Sequence, residues 1–301
     1  MGGVGLRREL EARLLGGDYR GVMERAAELL SSSDAAGPEA AWAAVMACRA
    51  AGALRNWGRA VSWAERGLAL GPDPEAEGWL NLLLGTALMY TGDAYRSERC
   101  LRAFLERAGG HPGLSRLLPD GRFNLAHLLR FLRRDPVAEA EAFQEAAEGF
   151  ASRGRFSQVL LCQVEAAWSY LVAEQPAQAL PALEAATNGL AEHGDPTVQV
   201  YVQICWAYYH RQTGDLARSQ AICHELDARP DLTAGQRADV GWLLGSNART
   251  MGDLTRAAAW AEKAYEHALE DLWPLQITRI EGLLHAMEGS GKQSPVRQVG
   301  R

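Results

Sequence analysis

The sequence predicts an all-α protein, a right-handed α-solenoid of about seven helical hairpins that ends in a C-terminal capping helix. A short turn pattern, often Gly-Asp, recurs along the chain at intervals of about 37–42 residues. The segments between the turns carry apolar residues at helical spacing, and none shows the sustained alternation that is typical of a strand. A fixed period of this length indicates a protein that stacks one supersecondary unit repeatedly.

The turns between paired helices define seven units. Gly214 and Gly252 are 38 residues apart, and Gly92 and Gly214 are 122 apart, which is three steps of about 41. Gly takes the left-handed conformation that ends a helix, and the Asp beside it can accept hydrogen bonds from the next helix. In two turns Pro136 and Pro176 replace this chemistry, because Pro is tolerated in a first helical turn. The turns lie at residues 16–19, 55–57, 91–93, 133–136, 174–176, 213–215 and 251–253.

Longer breaks rich in Gly, Pro and Asp separate the units, as expected for loops between repeats. They lie at residues 31–38, 71–74, 109–119, 194–196 and 229–233. Residues 273–288 predict one more helix, whose polar residues suit the capping role of a last repeat; these are Gln276, Arg279, Glu281 and His285. We therefore predict one solenoid domain over residues 1–289 and a disordered basic tail over residues 290–301.

Composition favours a cytoplasmic protein without a nucleic-acid partner. The formal net charge is −6, whereas a phosphate-backbone binder needs a basic face. The five cysteines are far apart and form no C-x-x-C pair, which indicates a reducing compartment and buried thiols. No apolar run reaches the ~18 residues that a membrane span requires. The first ten residues have no apolar core and do not resemble a secretory signal.

No pattern predicts a catalytic, cofactor or metal site. Cys205, His210, Cys223 and His224 are not spaced as metal ligands, which need tight motifs such as C-x-x-C. The stretch at residues 289–292 lacks the flanking residues of a phosphate-binding loop, and no strand precedes it. No serine lies in a nucleophile-elbow context. We therefore expect a non-enzymatic protein without cofactors, and an unrecognised enzyme is the least favoured alternative.

Several units resemble the tetratricopeptide repeat family, in a long-period form similar to the repeat domains of bacterial peptide-sensing regulators. Leu244-Gly245, Gly252-Asp253, Ala257 and Ala264 match the family pattern in the last unit. Leu84-Gly85, Gly92-Asp93 and Ser97 match it in the third unit. The sequence has neither a helix-turn-helix pattern ahead of the repeats nor a P-loop, so direct DNA binding is not expected.

The resemblance implies that the first helix of each hairpin lines a concave groove. The family offsets place these residues on the inner face: Trp42, Met46 and Arg49; Trp79, Leu83, Thr86 and Tyr90; Phe123, Asn124, His127, Arg130 and Phe131; Glu165, Trp168 and Val172; Tyr201, Cys205, Tyr208 and Arg211; Trp242, Ser246 and Arg249. The candidate ligand-binding residues among them are Arg49, Tyr90, Asn124, His127, Arg130, Trp168, Tyr208, Arg211, Trp242, Ser246 and Arg249.

Aromatic side chains alternate with arginines on this expected inner face. A guanidinium group binds carboxylates through two parallel hydrogen bonds and stacks on aromatic rings. We therefore predict a groove for an extended peptide, with an acidic residue or a C-terminal carboxylate as one recognised group. The function predicted first is a cytosolic peptide-binding sensor or regulator, and the alternative is a scaffold that joins folded proteins. The same aromatics and arginines could also serve only to pack neighbouring helices.

Overall fold

The computed structural model of the chain describes residues 4–31, 37–132, 135–193, 196–271 and 274–288. Within these ranges every regular element is a helix and no strand is present. The helices are α1 (Val4–Leu15), α2 (Tyr19–Ser31), α3 (Pro38–Ala53), α4 (Trp57–Ala69), α5 (Pro74–Thr91), α6 (Ala94–Gly110), α7 (Pro112–Ser115), α8 (Leu118–Phe131), α9 (Pro136–Ala151), α10 (Phe156–Val172), α11 (Pro176–His193), α12 (Pro196–Gln212), α13 (Leu216–Asp227), α14 (Ala234–Thr250), α15 (Leu254–Asp271) and α16 (Pro274–Glu288).

The helices follow one another as hairpins, which confirms the predicted solenoid class. The pairs α1–α2, α3–α4, α5–α6, α10–α11, α12–α13 and α14–α15 pack against each other, and α16 follows the last pair. The prediction was wrong in one interval, since residues 109–119 contain α7 rather than only a loop. Pro112 starts this short helix, and Leu114 is fully buried, so the segment is held by packing. The break at residues 152–155, before α10, was not predicted.

The predicted turn chemistry is present in the hairpins. Gly92, Gly214 and Gly252 have φ angles of 88°, 89° and 83°, the left-handed conformation that favours glycine. Asp93 accepts a hydrogen bond from the backbone N–H of Arg96 at 3.2 Å, and Asp215 and Asp253 make the equivalent bond. These contacts satisfy N–H groups that have no partner within their own helix. In two turns a non-glycine residue takes the left-handed position, Arg55 with φ 54° and Glu174 with φ 58°.

The chain divides into two compact units, residues 1–149 (unit 1) and residues 150–301 (unit 2). In unit 1 the first helices of successive hairpins contact one another, α1 with α3, α3 with α5, and α5 with α8. In unit 2 the corresponding contacts join α10 to α12, α12 to α14, and α14 to α16. Each unit therefore carries a row of first helices. The single domain over residues 1–289 stays a prediction, and the basic tail at residues 290–301 lies outside the described residues.

Small residues allow the two helices of a hairpin to approach closely. A Cβ atom added at Gly241 would lie 2.9 Å from the Cβ of Ala264, and one added at Gly245 would lie 3.2 Å from the carbonyl oxygen of Ala257. Both alanines are fully buried. Interiors packed this tightly leave little room for a larger side chain. The Leu-Gly and Ala positions of the repeat pattern are therefore the contact points between α14 and α15.

The five cysteines are buried and form no disulfide. Burial raises the pKa of Cys48 and Cys223 to about 12, so these thiols stay protonated near neutral pH. Thiols of this kind fill space as small apolar groups. Among the described residues, no helix combines the length and hydropathy that a bilayer span needs, and no group of three potential metal ligands converges.

Candidate functional site

In unit 2 the first-helix row brings three predicted aromatic residues together. The ring centroids of Trp168 on α10 and Tyr208 on α12 are 5.3 Å apart. Those of Tyr208 and Trp242 on α14 are 5.2 Å apart, with the rings nearly perpendicular. Offset and edge-to-face arrangements at such distances are favourable for aromatic pairs. One ring from each of three successive hairpins thus forms a continuous row.

Two arginines contact this row. The guanidinium carbon of Arg279, on α16, lies 4.9 Å from the ring centroid of Trp168 and 4.2 Å from that of Trp242. The guanidinium carbon of Arg211, on α12, lies 6.0 Å from the centroid of Trp242. Both lie within the range of cation–π attraction. We call the set Trp168, Tyr208, Arg211, Trp242 and Arg279 the aromatic face of unit 2.

Asp239 supplies the acidic partner of Arg279. It lies on α14, three residues before Trp242, and its carboxylate accepts a hydrogen bond and forms an ion pair with the Arg279 guanidinium. Burial raises the pKa of the Asp239 carboxyl group, an effect that the charge of Arg279 opposes. Burial also raises the pKa of Tyr208, and the charges of Arg279 and Arg211 oppose this shift. The cluster thus lies where charges are poorly screened by water.

The other predicted residues of unit 2 are not part of this cluster. Ser246 is 4% exposed, and Tyr208 and Trp242 in the cluster itself are each 9% exposed, so a ligand would reach the buried atoms of all three only after neighbouring side chains moved. Arg249, near the end of α14, is exposed, and its side chain makes no ion pair within the described ranges. Arg279 rather than Arg249 lies with Arg211 beside the indole ring of Trp242.

In unit 1 the predicted residues are held mostly by partners within the protein. Arg130 donates a hydrogen bond from Nε to Glu139 at 2.6 Å, and Glu139 is itself buried. The ring of His127 packs edge-on against the ring of Phe143, with 5.0 Å between the ring centroids. The Asn124 side-chain amide donates to the Thr86 hydroxyl at 2.8 Å, which joins α8 to α5. These contacts use the Nε donor of Arg130, an amide donor of Asn124 and the ring of His127 within the protein.

Arg49 and Tyr90, the remaining candidates of unit 1, lie in different surroundings. The Arg49 guanidinium carbon is 5.2 Å from the ring centroid of Trp79, and burial lowers the pKa of Arg49. Tyr90, near the end of α5, is 43% exposed and stacks on Trp57 at 4.2 Å. Trp57 begins α4, so Tyr90 lies beside a second helix of the preceding hairpin. Arg49 and Tyr90 therefore have separate aromatic partners.

Sequence reasoning missed two arginines that contact the tryptophans. The guanidinium carbon of Arg7, on α1, lies 3.5 Å from the ring centroid of Trp42. The Nη2 atom of Arg7 lies 3.3 Å from Oε1 of Glu75, with which it forms an ion pair. Arg279 was assigned only a capping role, although it lies 37 residues after Trp242, within the repeat period. Extending the same offsets into the last helix would have placed it on the inner row. The capping assignment was incomplete, because Arg279 is partly buried in an ion pair.

No protein-family model matches the chain, and no curated protein sequence matches it. Solved structures do match. The structure of NprR in complex with its cognate peptide NprX is 15% identical with a TM-score of 0.66, covering 94% of this chain and 81% of that chain. The apo form of the quorum sensor NprR from B. thuringiensis is 14% identical with a TM-score of 0.67, covering 96% of this chain and 82% of that chain. At these identities the likeness establishes the helical solenoid fold.

Proposed function

We propose that this protein is a non-enzymatic, cytosolic peptide-binding sensor or regulator, and that the aromatic face of unit 2 contacts the peptide. The observation that carries the proposal is the row of Trp168, Tyr208 and Trp242 with two arginines beside it. Aromatic and arginine side chains dominate the binding energy of most interfaces. A helical solenoid also offers an extended surface that suits an extended segment.

The likeness to NprR supports the same proposal, because one of the matched structures contains a bound peptide. The ligand chemistry that we propose is a short peptide with at least one carboxylate, from an acidic side chain or from the C-terminus. Arginine recognises a carboxylate by charge and by paired hydrogen bonds. Because an extended peptide advances ~3.3 Å per residue, a short one can contact several neighbouring helices of the row.

The test starts with a pull-down from an extract of the source cell, followed by mass spectrometry of retained peptides and proteins. The affinity of a retained peptide is then measured by calorimetry for the wild type and for the double variant Arg211→Glu with Arg249→Glu. The first substitution changes the aromatic face, and the second changes the exposed arginine that was predicted for the same groove one repeat later. We expect at least about tenfold weaker binding, or about 1.4 kcal/mol, because reversed charges repel the ligand carboxylate. Circular dichroism checks that the double variant is folded.

A matched control separates a local effect from the change in net charge. Arg218 and Arg256 are exposed and lie near the starts of the second helices α13 and α15. The double variant Arg218→Glu with Arg256→Glu changes the net charge equally, and we expect it to retain the wild-type affinity. Equal affinity of all three folded proteins would place the peptide elsewhere and would count against the proposal.

A scaffold that joins folded proteins is the second candidate, and exposed apolar side chains at helix ends are the groups that it would use. Leu15 is 85% exposed at the end of α1, and Tyr95 is 77% exposed at the start of α6. Leu54 and Met251 are likewise exposed beside hairpin turns. Exposed apolar groups often mark interaction surfaces when they are contiguous. Retention of a folded protein rather than a peptide in the pull-down would favour this function.

A further inference from the structure

Two arginines lie against the same indole ring in unit 2. The guanidinium carbons of Arg211 and Arg279 are 6.0 Å and 4.2 Å from the ring centroid of Trp242. Both charges also act on Tyr208, whose neighbour on the row is Trp242. Two positive charges therefore lie beside one partly buried ring, and only one of them has an acidic partner among the described residues, so an anion beside this ring would be favoured.

Neither guanidinium has a full set of hydrogen bonds. The Nε atoms of Arg211 and Arg279 are buried and have no hydrogen-bond partner. Arg279 binds one acid, Asp239, and the side chain of Arg211 makes no ion pair with any described residue. Buried donors are nearly always satisfied in folded proteins, so unsatisfied ones require an explanation. A ligand that accepts hydrogen bonds would provide it.

Arg130 of unit 1 is an arginine near an aromatic ring whose Nε does have a partner. Arg130 in unit 1 also lies near an aromatic ring, 5.4 Å from the centroid of Phe143, but its Nε donates to the buried Glu139. The same atom type is therefore satisfied where the arginine joins two helices of one hairpin. The contrast indicates that the Nε donors of Arg211 and Arg279 are left for an acceptor that the described part of the chain does not supply.

The chemistry of the pair selects the ligand group. A guanidinium that stacks on a ring keeps its N–H donors at the edge of its plane, where they can meet a planar acceptor. A carboxylate is planar, carries negative charge and accepts several hydrogen bonds. Asp239 holds Arg279 against Trp242 from one side and leaves its Nε unbonded. The group that complements the remaining donors is a second carboxylate, supplied by the ligand.

We propose that Arg211 and Arg279 form a carboxylate-binding subsite beside Trp242, so that the terminal helix α16 is part of the ligand site. This inference rests on the proposed peptide-binding function and assigns one subsite to it. Its regulatory consequence follows from the position of α16. This helix packs against α14 and α15, and its Arg279 contacts Trp242 of α14. A carboxylate held by Arg279 therefore stabilises α16 against the row.

The experiment uses the full chain and three matched libraries of random heptapeptides. One library has free C-terminal carboxylates and contains Asp and Glu, one has C-terminal amides and contains Asp and Glu, and one has free carboxylates but lacks Asp and Glu. Peptides retained by immobilised protein are identified, and dissociation constants are measured for acid and amide forms of the same sequence. The second library reports recognition of side-chain carboxylates, and the third reports recognition of the C-terminus.

The variants Arg211→Lys and Arg279→Lys keep the charge but lose the guanidinium donors, and the ammonium group introduced by Arg279→Lys still offers a cation to Asp239. We expect the wild type to prefer a carboxylate over its neutral counterpart by about tenfold, the effect of one charge-assisted hydrogen bond or more. Each variant should reduce this preference to below about threefold. Arg218→Lys, on the exposed side of α13, should keep the full preference. If Arg279→Lys does not fold, the carboxylate preference of Arg211→Lys alone tests the subsite.

The outcomes distinguish failure of the carboxylate subsite from failure of the peptide-binding function. Loss of the carboxylate preference in either folded lysine variant, with the Arg218 control unchanged, supports the subsite. Peptides that bind the wild type without any carboxylate preference, or a preference that survives in both variants, would overturn the subsite but not the peptide-binding function. A wild type that retains no peptide from any library would overturn both.

Discussion

The two units each place an arginine of a terminal helix against a tryptophan of the first-helix row, but in different surroundings. In unit 1 Arg7 on α1 stacks on Trp42 and pairs with Glu75, whose side chain is 27% exposed. In unit 2 Arg279 on α16 contacts Trp168 and Trp242 and pairs with Asp239, whose side chain is 11% exposed. The contact between an arginine, a tryptophan and an acid is therefore half-buried in unit 1 and more strongly shielded in unit 2.

This difference in burial determines what each pair can contribute. A half-buried ion pair is screened more than a buried one and adds less to stability, whereas removal of one partner of a buried pair leaves an uncompensated charge. A shielded cluster also strengthens any interaction with a ligand charge, because water competes less. Unit 1 thus uses its arginine to fasten α1 to α3 and α5. In unit 2 the ion pair between Arg279 and Asp239 is more deeply buried, so the loss of either charge has a larger effect on stability.

The largest expected effect is from removal of the buried acid in unit 2. In Asp239→Ala the Arg279 charge remains partly buried without its acid, so the free energy of unfolding should fall by about 3 kcal/mol. Urea unfolding followed by circular dichroism measures the change. Asp227→Ala is the control, because Asp227 pairs with Lys263 at an exposed site. A loss no larger than that of the control would remove the contrast between the two units.

An intermediate effect is expected at a helix contact that both units share. Ala257 in unit 2 and Ser97 in unit 1 each lie five residues after a turn glycine, and both are fully buried. Ala257→Leu should force α14 and α15 apart and lower the free energy of unfolding by about 1–3 kcal/mol. Ala259→Leu, an exposed position on the same helix, should have little effect. Equal thermal stability of Ala257→Leu and wild type would contradict the assigned contact.

The smallest effect is expected from the half-buried ion pair between Arg7 and Glu75 in unit 1. Glu75→Gln keeps the size of the side chain and removes the charge that pairs with Arg7. The free energy of unfolding should change by less than about 1 kcal/mol, and the change should shrink further at high salt. Urea unfolding at low and high ionic strength measures both. A loss as large as that of Asp239→Ala would mean that burial does not separate the two clusters.

Much of the fold could be predicted because it depends on local chemistry. Glycine in the left-handed conformation and aspartate as a helix cap act over four residues, so the turns at Gly92, Gly214 and Gly252 are evident from the sequence. The helix α7 was missed because Pro112 and the glycines around it indicate a loop, whereas burial of Leu114 holds the segment in place. Tertiary packing overrode the local preference there.

The candidate site was predicted only in part. The repeat offsets placed Trp168, Tyr208 and Trp242 on one row, and the structure brings these rings together. The offsets could not show that Arg130 has a buried acidic partner, or that Ser246 is inaccessible. Those facts depend on side chains from other helices. Burial, ion pairing and the direction of a long side chain are properties of the packed row rather than of one repeat.

The sequence by itself determined the helical class, the period, the turns and the small residues at helix contacts, since each follows from interactions within one hairpin. Only the tertiary structure decided which polar groups remain unsatisfied. Arg211 and Arg279 are 68 residues apart in the chain, and both lie beside Trp242 because α12, α14 and α16 pack side by side. Electrostatic and cation–π contacts depend on distance in space and on burial, which the order of residues does not specify.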